Sequence, residues 1–399
     1  MSDTTERQLP VPCTAHLITT LEDLDDLAKR ILASPMVAVD TESDSLYSYN
    51  EKICLVQFSL PGDDYIVDPL ATYSLEPLAD VFASPAVEKI FHGADYDLVS
   101  LKRGYGFHFA NIFDTMLASR ILGYKNCGLA ALLAEKLNLQ IDKSMQRSDW
   151  GHRPLSQEQL AYACLDTRYL LTLHDLLLEE LQQAGREQEA REAFAELANL
   201  EPRPRFFDPD GFWSIKGVGD LDESGQRIVR ALYRWREDQA RWEDRPVFKI
   251  ISDRCLVALA KEQPLTSEAL RRSHILSDYQ LMRYGSQVVD IIARAKRSKD
   301  PLHRPHRQSR ERPDETSLII YEKLRAWRKQ RAGERGVEPD VVASNDLLMA
   351  LANQRPRTLA ELESIAGLGH WRRSQYGAEL IAVINEALQH TNRDEEQHH

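Results

Sequence analysis

Short apolar runs bounded by turn residues dominate the first half of the chain. Five of them have the length and composition of strands: MVAVDTE, ICLVQFSL, YIVD, EKIFHG and NIFDT. Helical periodicity lies between and after these runs, and the longest helical pattern covers about residues 157–198. The first three strands follow one another closely, whereas helices separate the later ones. We therefore expect a mixed, mostly five-stranded sheet with helices packed on it.

Strand signals end near residue 201, and the rest of the chain is helical and repetitive. "RWRED" at 234–238 recurs as "AWRKQ" at 326–330, with Trp235 matching Trp327. Seven further pairs keep the same spacing of 92 residues: Leu256/Leu348, Leu259/Leu351, Ala260/Ala352, Pro264/Pro356, Leu270/Leu362, Tyr284/Tyr376 and Gly285/Gly377. A fixed spacing over apolar and turn positions indicates two copies of one helical bundle. We expect both tryptophans to pack in the bundle cores.

These patterns divide the chain into segments of different character. We predict an α/β domain at 1–200, helical bundles at 208–300 and 317–392, a basic linker at 301–316 and a disordered tail at 393–399.

The formal net charge of −12 is distributed unevenly over the 399 residues. Residues 1–200 carry roughly −15 and residues 201–399 roughly +3, and the stretch 291–330 alone holds roughly +7. This asymmetry indicates an acidic domain with one task and a neutral-to-basic helical region with another. The basic stretch is compatible either with a solvated linker or with contacts to phosphate groups.

The composition is typical of a soluble globular protein, with 43% hydrophobic and 28% charged residues. No apolar run approaches the roughly 18 residues that a membrane span requires, and the first ten residues are too polar for a secretory signal. The five cysteines form no CxxC pair, so their spacing offers no zinc site. We expect a cytoplasmic protein that does not contact a membrane.

The first candidate for chemistry is the pair Asp40 and Glu42, which ends an apolar strand. Side chains two positions apart on a strand share a face, so the two carboxylates point to one spot. Open α/β sheets bind their ligands at the carboxyl ends of strands. Two adjacent carboxylates repel each other unless a cation lies between them, which favours a hard divalent metal ion. The alternative is a solvated strand end.

Two further segments supply carboxylates. In "FHGADYDL" at 91–98, Asp95 is placed to cap a helix, whereas Asp97 could face the strand end. In "YACLD", Tyr162 and Asp166 are four residues apart and share a helix face. Structural alternatives remain for these acids: a second capping residue at Asp97, and a buried hydrogen bond to a backbone amide at Asp166.

The ordered set DxE, HxxxxD and YxxxD resembles the DEDDy 3′→5′ exonucleases, and the ribonuclease D family in particular. The segments "DPL", "FDT" and "DKSMQRSDWGHRPLS" support the resemblance, and the duplicated helical unit is similar to the nucleic-acid-binding HRDC domain. The resemblance covers nearly the whole chain. It implies a ribonuclease H-like α/β exonuclease domain followed by two all-α HRDC-like bundles.

The same resemblance implies a role for each matching residue. The ligands of two divalent metal ions, Mg²⁺ or Mn²⁺, would be Asp40, Glu42, Asp97 and Asp166. Tyr162 would position the attacking water and complete the catalytic set. Residues expected to contact substrate are Thr41, His92 and Tyr47. His92 is equally compatible with a core histidine. Tyr47 is expected to stack on a terminal base, because Ser43 and Asp44 follow Glu42 where many family members carry an aromatic residue.

The activity implied is metal-dependent hydrolysis of RNA from the 3′ end, releasing nucleoside 5′-monophosphates. The expected partners are single-stranded 3′ ends of structured RNA such as precursor tRNA, bound by a monomer. One alternative is a 3′→5′ DNA exonuclease of repair, although the sequence lacks the helicase phosphate-binding pattern GxxxxGK[ST]. The other is a non-catalytic nucleic-acid-binding scaffold, which the intact carboxylate set disfavours.

Overall fold

The computed structural model describes residues 14–203, 206–304 and 313–396. These residues form two compact units. One unit contains the chain up to Glu42, Ile53–Pro202 and the described part of residues 310–399. The other contains Ser43–Lys52 and the described part of residues 203–309.

The first unit is built on a six-stranded mixed sheet. Its strands are β1 (His16–Ile18), β2 (Met36–Ser43), β3 (Ile53–Leu60), β4 (Asp63–Val67), β5 (Glu88–Phe91) and β6 (Ile112–Asp114). They lie in the order β1-β4-β3-β2-β5-β6. The pairs β1/β4, β2/β5 and β5/β6 are parallel, and β3/β4 is antiparallel. The predicted mixed sheet with helices is confirmed, but the expected strand number was one too low.

The missed strand is β1, which contains only three residues. It pairs with β4 in the register His16↔Tyr65 to Ile18↔Val67. Of the three, only Ile18 is buried. A strand this short and exposed has no apolar pattern that a sequence could show.

Nine helices of the described α/β domain surround the sheet. They are α1 (Leu21–Leu32), α2 (Pro69–Thr72), α3 (Ala79–Ala83), α4 (Asp95–Tyr105), α5 (Thr115–Leu122), α6 (Leu129–Leu137), α7 (Gln157–Arg168), α8 (Leu170–Gln183) and α9 (Glu187–Ala198). A 3₁₀ turn, Glu76–Leu78, precedes α3. The single helix expected at 157–198 is three helices. Tyr169 leaves helical geometry at φ −100°, ψ 0°, and Gly185 at φ 66° adopts the left-handed conformation that ends many helices.

The segment before α7 is held to the sheet by Arg153. Its Nε and Nη2 atoms donate to the two carboxylate oxygens of Asp68 at 2.7 and 2.8 Å, and Nη2 also donates to the carbonyl of Cys54 at 3.0 Å. Trp150 is buried in an apolar cluster with Cys54 and Ala163. Trp150 and Arg153 thus fasten the helical segment to the sheet.

The second unit contains the first helical bundle: α10 (Glu223–Glu243), α11 (Val247–Ile250), α12 (Asp253–Glu262), α13 (Ser267–Arg272) and α14 (Asp278–Arg297), with 3₁₀ turns at Gly211–Ser214 and Val218–Asp220. The second bundle belongs to the first unit and comprises α15 (Glu315–Arg335), α16 (Pro339–Val342), α17 (Asn345–Gln354) and α18 (His370–Glu396), with a 3₁₀ turn at Glu361–Ser364.

The two bundles repeat the same internal contacts at the spacing seen in the sequence. Trp235 packs edge-on against Tyr284 with ring centroids 5.7 Å apart, and Trp327 packs edge-on against Tyr376 at 5.5 Å. Both tryptophans are partly buried against their bundle cores. Equivalent hydrogen bonds also recur: Arg236 to the Ile251 carbonyl and Arg328 to the Ala343 carbonyl, Trp235 to Gln287 and Trp327 to Glu379. The duplication seen in the sequence is therefore also present in the structure.

The second bundle is fastened to α9 of the α/β domain by polar contacts. Arg335 donates to buried Glu189 at 2.5 Å and to the Tyr376 hydroxyl at 2.6 Å. The Trp371 amide, at the start of α18, donates to Glu192 at 2.6 Å. A Cβ atom on Gly369 would overlap the Glu192 carboxylate, so a side chain at this position would displace Glu192 from the contact.

Within the part of the chain that the structure describes, no helix has both the length and the apolar character needed to cross a membrane.

We expect Glu189→Ala to weaken the attachment of the second bundle to α9. Arg335 would be left largely buried without its carboxylate partner, which should lower the free energy of unfolding by about 3–5 kcal/mol. Amide hydrogen exchange should show reduced protection in α15 and α18 relative to the wild type. Glu187→Ala removes a more exposed carboxylate from the same helix, paired to Arg191 at 3.4 Å, and should leave the exchange unchanged. Equal protection in the two variants would contradict this account of the interface.

Candidate metal centre

Strand β2 delivers Asp40 and Glu42 to one face of the sheet. Along β2, Val37 and Val39 pack into one apolar cluster and Ala38 into another. Asp40 and Glu42 continue the alternation on the face of Ala38, as the strand period requires. Both side chains are half-buried.

Helix α7 brings Tyr162 and Asp166 to the same place. Oxygen atoms of Asp40, Glu42 and Asp166 all lie within 4.8 Å of one another. Tyr162, one turn before Asp166, stands with its ring centroid 6.0 Å from that of Trp150. The predicted convergence of the strand pair with the helix pair is thus present in the structure.

Asp97 approaches from the first turn of α4 but is not one of the three residues whose oxygen atoms all lie within 4.8 Å of one another. It is buried, and one of its carboxylate oxygens accepts a short hydrogen bond from the Thr41 hydroxyl. Its charge raises the pKa of Asp40, Glu42 and Asp166, which places it in the same electrostatic environment. The Thr41 hydroxyl therefore orients Asp97, and the substrate contact predicted for Thr41 remains a prediction.

The capping role expected of Asp95 is wrong by one residue. The N-cap of α4 is Ala94, and Asp95 is the first helical residue, exposed and without a capping hydrogen bond from its side chain. Its carboxylate still lies at the positive end of the helix dipole. The Ala94 amide is instead bound by Asp114, which also accepts from Gly93 and caps α5 through Leu117.

Burial and mutual repulsion favour the protonated forms of the clustered acids. Burial, then the charges of Asp166 and Asp97, raise the pKa of Glu42 to about 9. Burial raises the pKa of Asp97 to about 7, although the Thr41 hydrogen bond opposes the shift. Burial and the Asp97 charge raise the pKa of Asp166 to about 7. The pKa of Asp40 is raised for the same reasons, burial first. A cation between them would reverse these shifts.

Tyr162 and Lys143 are two further ionisable residues that interact with Asp166. Burial and the Asp166 charge raise the pKa of the Tyr162 hydroxyl, so it remains protonated at neutral pH. Lys143 lowers the pKa of Asp166 and is the residue that sequence reasoning missed as part of this environment. The signal was present, because Lys143 opens the family-like pattern in "DKSMQRSDW".

His92 directly follows β5, and its ring contacts Thr115 at the start of α5. Its Nδ1 atom is 2.9 Å from the Thr115 hydroxyl, which in turn donates to the Phe91 carbonyl at 2.9 Å. Burial and the charge of Lys143 lower the pKa of His92 to about 4, so the ring is neutral. Its buried Nε2 atom has no hydrogen-bond partner among the described residues. The substrate role predicted for His92 remains a prediction.

Tyr47 belongs to the other unit. The Lys249 ammonium lies 4.0 Å from the centroid of its ring, and neighbouring Tyr49 donates from its backbone amide to Asp244 at 3.1 Å. Stacking of Tyr47 on a terminal base remains a prediction, and one face of the ring already carries a cation in this conformation.

The donor set fits hard divalent cations. Four carboxylates offer only oxygen ligands, which Mg²⁺ and Mn²⁺ prefer over nitrogen or sulfur. Their combined charge of −4 would balance two divalent ions, and burial, which raises the pKa of Glu42, Asp97 and Asp166, favours their protonated forms in the absence of a cation. Such a site can stabilise negative charge that develops during phosphoryl transfer.

Comparison with known families assigns the same domains. Residues 15–182 match the family described as 3′–5′ exonuclease, and residues 225–292 and 317–384 each match the HRDC domain. The two HRDC matches are offset by the repeat spacing found in the sequence.

Relatives extend the likeness over nearly the whole chain. Ribonuclease D of Gluconacetobacter diazotrophicus is 30% identical over 386 residues, covering 96% of this chain and 95% of that protein. The catalytic core of RRP6 from Trypanosoma brucei is 26% identical with a TM-score of 0.64, covering 74% of this chain and 85% of that one. Ribonuclease D of Escherichia coli shares the fold at 22% identity, with a TM-score of 0.65 and coverage of 94% and 99%. The chain therefore belongs to the ribonuclease D family of 3′–5′ exoribonucleases.

Proposed function

We propose that Asp40, Glu42, Asp97 and Asp166 bind two divalent cations, Mg²⁺ or Mn²⁺, and that this centre removes nucleoside 5′-monophosphates from RNA 3′ ends. The observation that supports the proposal is the convergence of three carboxylates from β2 and α7, with the Asp97 carboxylate of α4 near enough to raise the pKa of Asp40. When bound, the pair of ions would stabilise both the entering and the leaving oxygen of the displacement.

The chain's own residues hold that centre in place. Asp40 and Glu42 are fixed by the strand, and Asp97 is oriented by the hydrogen bond from Thr41. The Tyr162 hydroxyl, kept protonated, is a hydrogen-bond donor that can hold a water or a phosphate oxygen; its raised pKa makes it a poor base. Trp150 limits the movement of the Tyr162 ring.

The substrates we propose are single-stranded 3′ ends of structured RNA, with precursor tRNA as the leading case, and the protein is proposed to act as a cytoplasmic monomer. The name of the Gluconacetobacter relative supports RNA over DNA. The first HRDC-like bundle and the basic stretch around residues 291–330 supply cations for the RNA backbone.

Asp40→Asn should abolish hydrolysis, because it removes one ligand charge while keeping the side-chain shape. We expect kcat/KM on a single-stranded RNA to fall about a thousandfold or more. The matched control is Asp95→Asn, since Asp95 lies in the first turn of α4 beside Asp97 but is exposed. Full Mg²⁺-dependent activity in Asp40→Asn would overturn the assignment.

Cation and substrate requirements are tested with one RNA labelled at its 3′ nucleotide. The label should be released as a nucleoside 5′-monophosphate in Mg²⁺ or Mn²⁺ and be retained in EDTA. A DNA strand of the same sequence should be degraded more slowly. Faster degradation of DNA would favour the repair exonuclease, and release of the label in EDTA would exclude a metal-dependent centre.

The pH dependence of stability tests the carboxylate cluster without measuring activity. Because the pKa of Glu42 is about 9 in the folded protein and 4.5 ordinarily, the proton on Glu42 stabilises the fold fully below about pH 4.5. That contribution is lost as the pH rises through about 9. In EDTA, Tm should therefore fall from about pH 6 to pH 9, and Mn²⁺ should raise Tm more at the higher pH.

Comparison with Glu42→Gln separates this effect from other titrating groups. The variant should lose less stability over the same pH range in EDTA and gain less from Mn²⁺. The same pH dependence in both proteins would show that Glu42 is not in a charge-crowded cluster.

A further inference from the structure

The first bundle contains a cavity of about 530 Å³ that plays no part in the carboxylate centre. Ile215, Val257 and Ala258 form its apolar lining, and all three are at least partly buried. The loop that carries Ile215 continues through the 3₁₀ turn Val218–Asp220 into α10, and α12 provides the opposite wall. The cavity is therefore built from two elements of one rigid bundle.

Three exposed cations surround this apolar lining: Lys216, Arg254 and Lys261. Within the described residues, none of the three has an ion pair or a side-chain hydrogen bond. The one acidic residue of the cavity, Asp253, is paired with Arg236 at 2.7 Å, so it does not neutralise them. An apolar surface edged by unpaired cations matches a nucleotide chain, which presents both sugar and base surfaces and phosphate charge.

The second bundle lacks two of these cations, those of α12, at the equivalent positions. At the repeat spacing of 92 residues, Arg254 corresponds to Asp346 and Lys261 to Asn353. Asp346 and Asn353 are exposed, so the substitutions change the surface and leave the core of the bundle intact. The shared scaffold thus carries a cationic surface in one copy only.

The second bundle uses the start of α18, which corresponds to α14 at the repeat spacing, for another contact. The turn Glu361–Ser364 precedes this helix and corresponds to α13 of the first bundle. In the second bundle the chain then enters α18, whose first amides face the Glu192 carboxylate. There the anion comes from the protein's own α/β domain.

We propose that the two copies have divided their tasks. The cavity of the first bundle binds the sugar–phosphate backbone of single-stranded RNA, with Lys216, Arg254 and Lys261 on the phosphates and the apolar lining beneath a sugar or base. The second bundle serves as the docking module of the α/β domain. This inference rests on the proposed function, since it names where that function's RNA is held.

The test is the full-length triple variant Lys216→Ala/Arg254→Ala/Lys261→Ala. Binding to a 5′-labelled single-stranded RNA of about twenty nucleotides is measured in EDTA by fluorescence anisotropy over a range of salt concentrations. Kd should rise about tenfold at low salt. The plot of log affinity against log salt should become shallower by about 2, since each lost phosphate contact on a single strand contributes about 0.7.

The control removes two cations of the second bundle that lie outside the basic stretch 291–330: Arg357→Ala/Arg373→Ala, one exposed and one half-buried. Its Kd should stay within about twofold of the wild type and its salt slope should not change. A loss per removed charge equal to that of the triple variant, or no loss in the triple variant, would overturn the division of tasks.

Cleavage of a trinucleotide RNA separates this inference from the proposed function. A trinucleotide is expected to occupy the carboxylate centre alone, so the triple variant should cleave it at the wild-type rate while KM on the long RNA rises. Failure of the wild type to cleave either RNA would instead refute the proposed function. A matching loss on the trinucleotide would refute the cavity as a separate RNA site.

Discussion

Repulsion among four partly desolvated carboxylates is the constraint around which the α/β domain is arranged. Asp40 and Asp97 are held near Asp166 although burial and neighbouring charges oppose their ionisation. A fold keeps such a group together only if rigid elements impose the geometry. Strand β2 and helices α4 and α7 supply that rigidity, and each has its own anchor in the core. Protonation of the carboxylates or binding of cations between them offsets the repulsion.

Each anchor is a polar contact placed under the site. Thr41 fixes Asp97 by a hydrogen bond, and Asp114 binds the amides that precede α4. Arg153 ties the approach to α7 to Asp68 and to the strand carbonyl of Cys54. These contacts are made within the protein, and they determine where the carboxylates stand. Substitution of any of these residues would shift the carboxylates relative to one another.

Local patterns predicted the site well, and long-range contacts did not follow from them. Spacing of two on a strand and four on a helix was enough to pair Asp40 with Glu42 and Tyr162 with Asp166. The capping assignment of Asp95 failed because a helix start is uncertain by a residue without its tertiary contacts. Strand β1 was missed because its pairing with β4, rather than its own composition, makes it a strand. That Tyr49 groups with the first bundle depends on its bonds to Glu237 and Asp244, almost two hundred positions away.

The duplication carries a risk during folding, because tandem copies of one scaffold can exchange helices and misassemble. Equivalent positions differ in polarity in a way that opposes such swapping. Arg331 forms a two-pronged ion pair with Glu379 in the second bundle, where the first has Gln239 and Gln287. If α10 packed against α18 in place of α15, Glu379 would lose its ion pair with Arg331. The sequence differences between the copies therefore also favour the correct pairing of helices within each bundle.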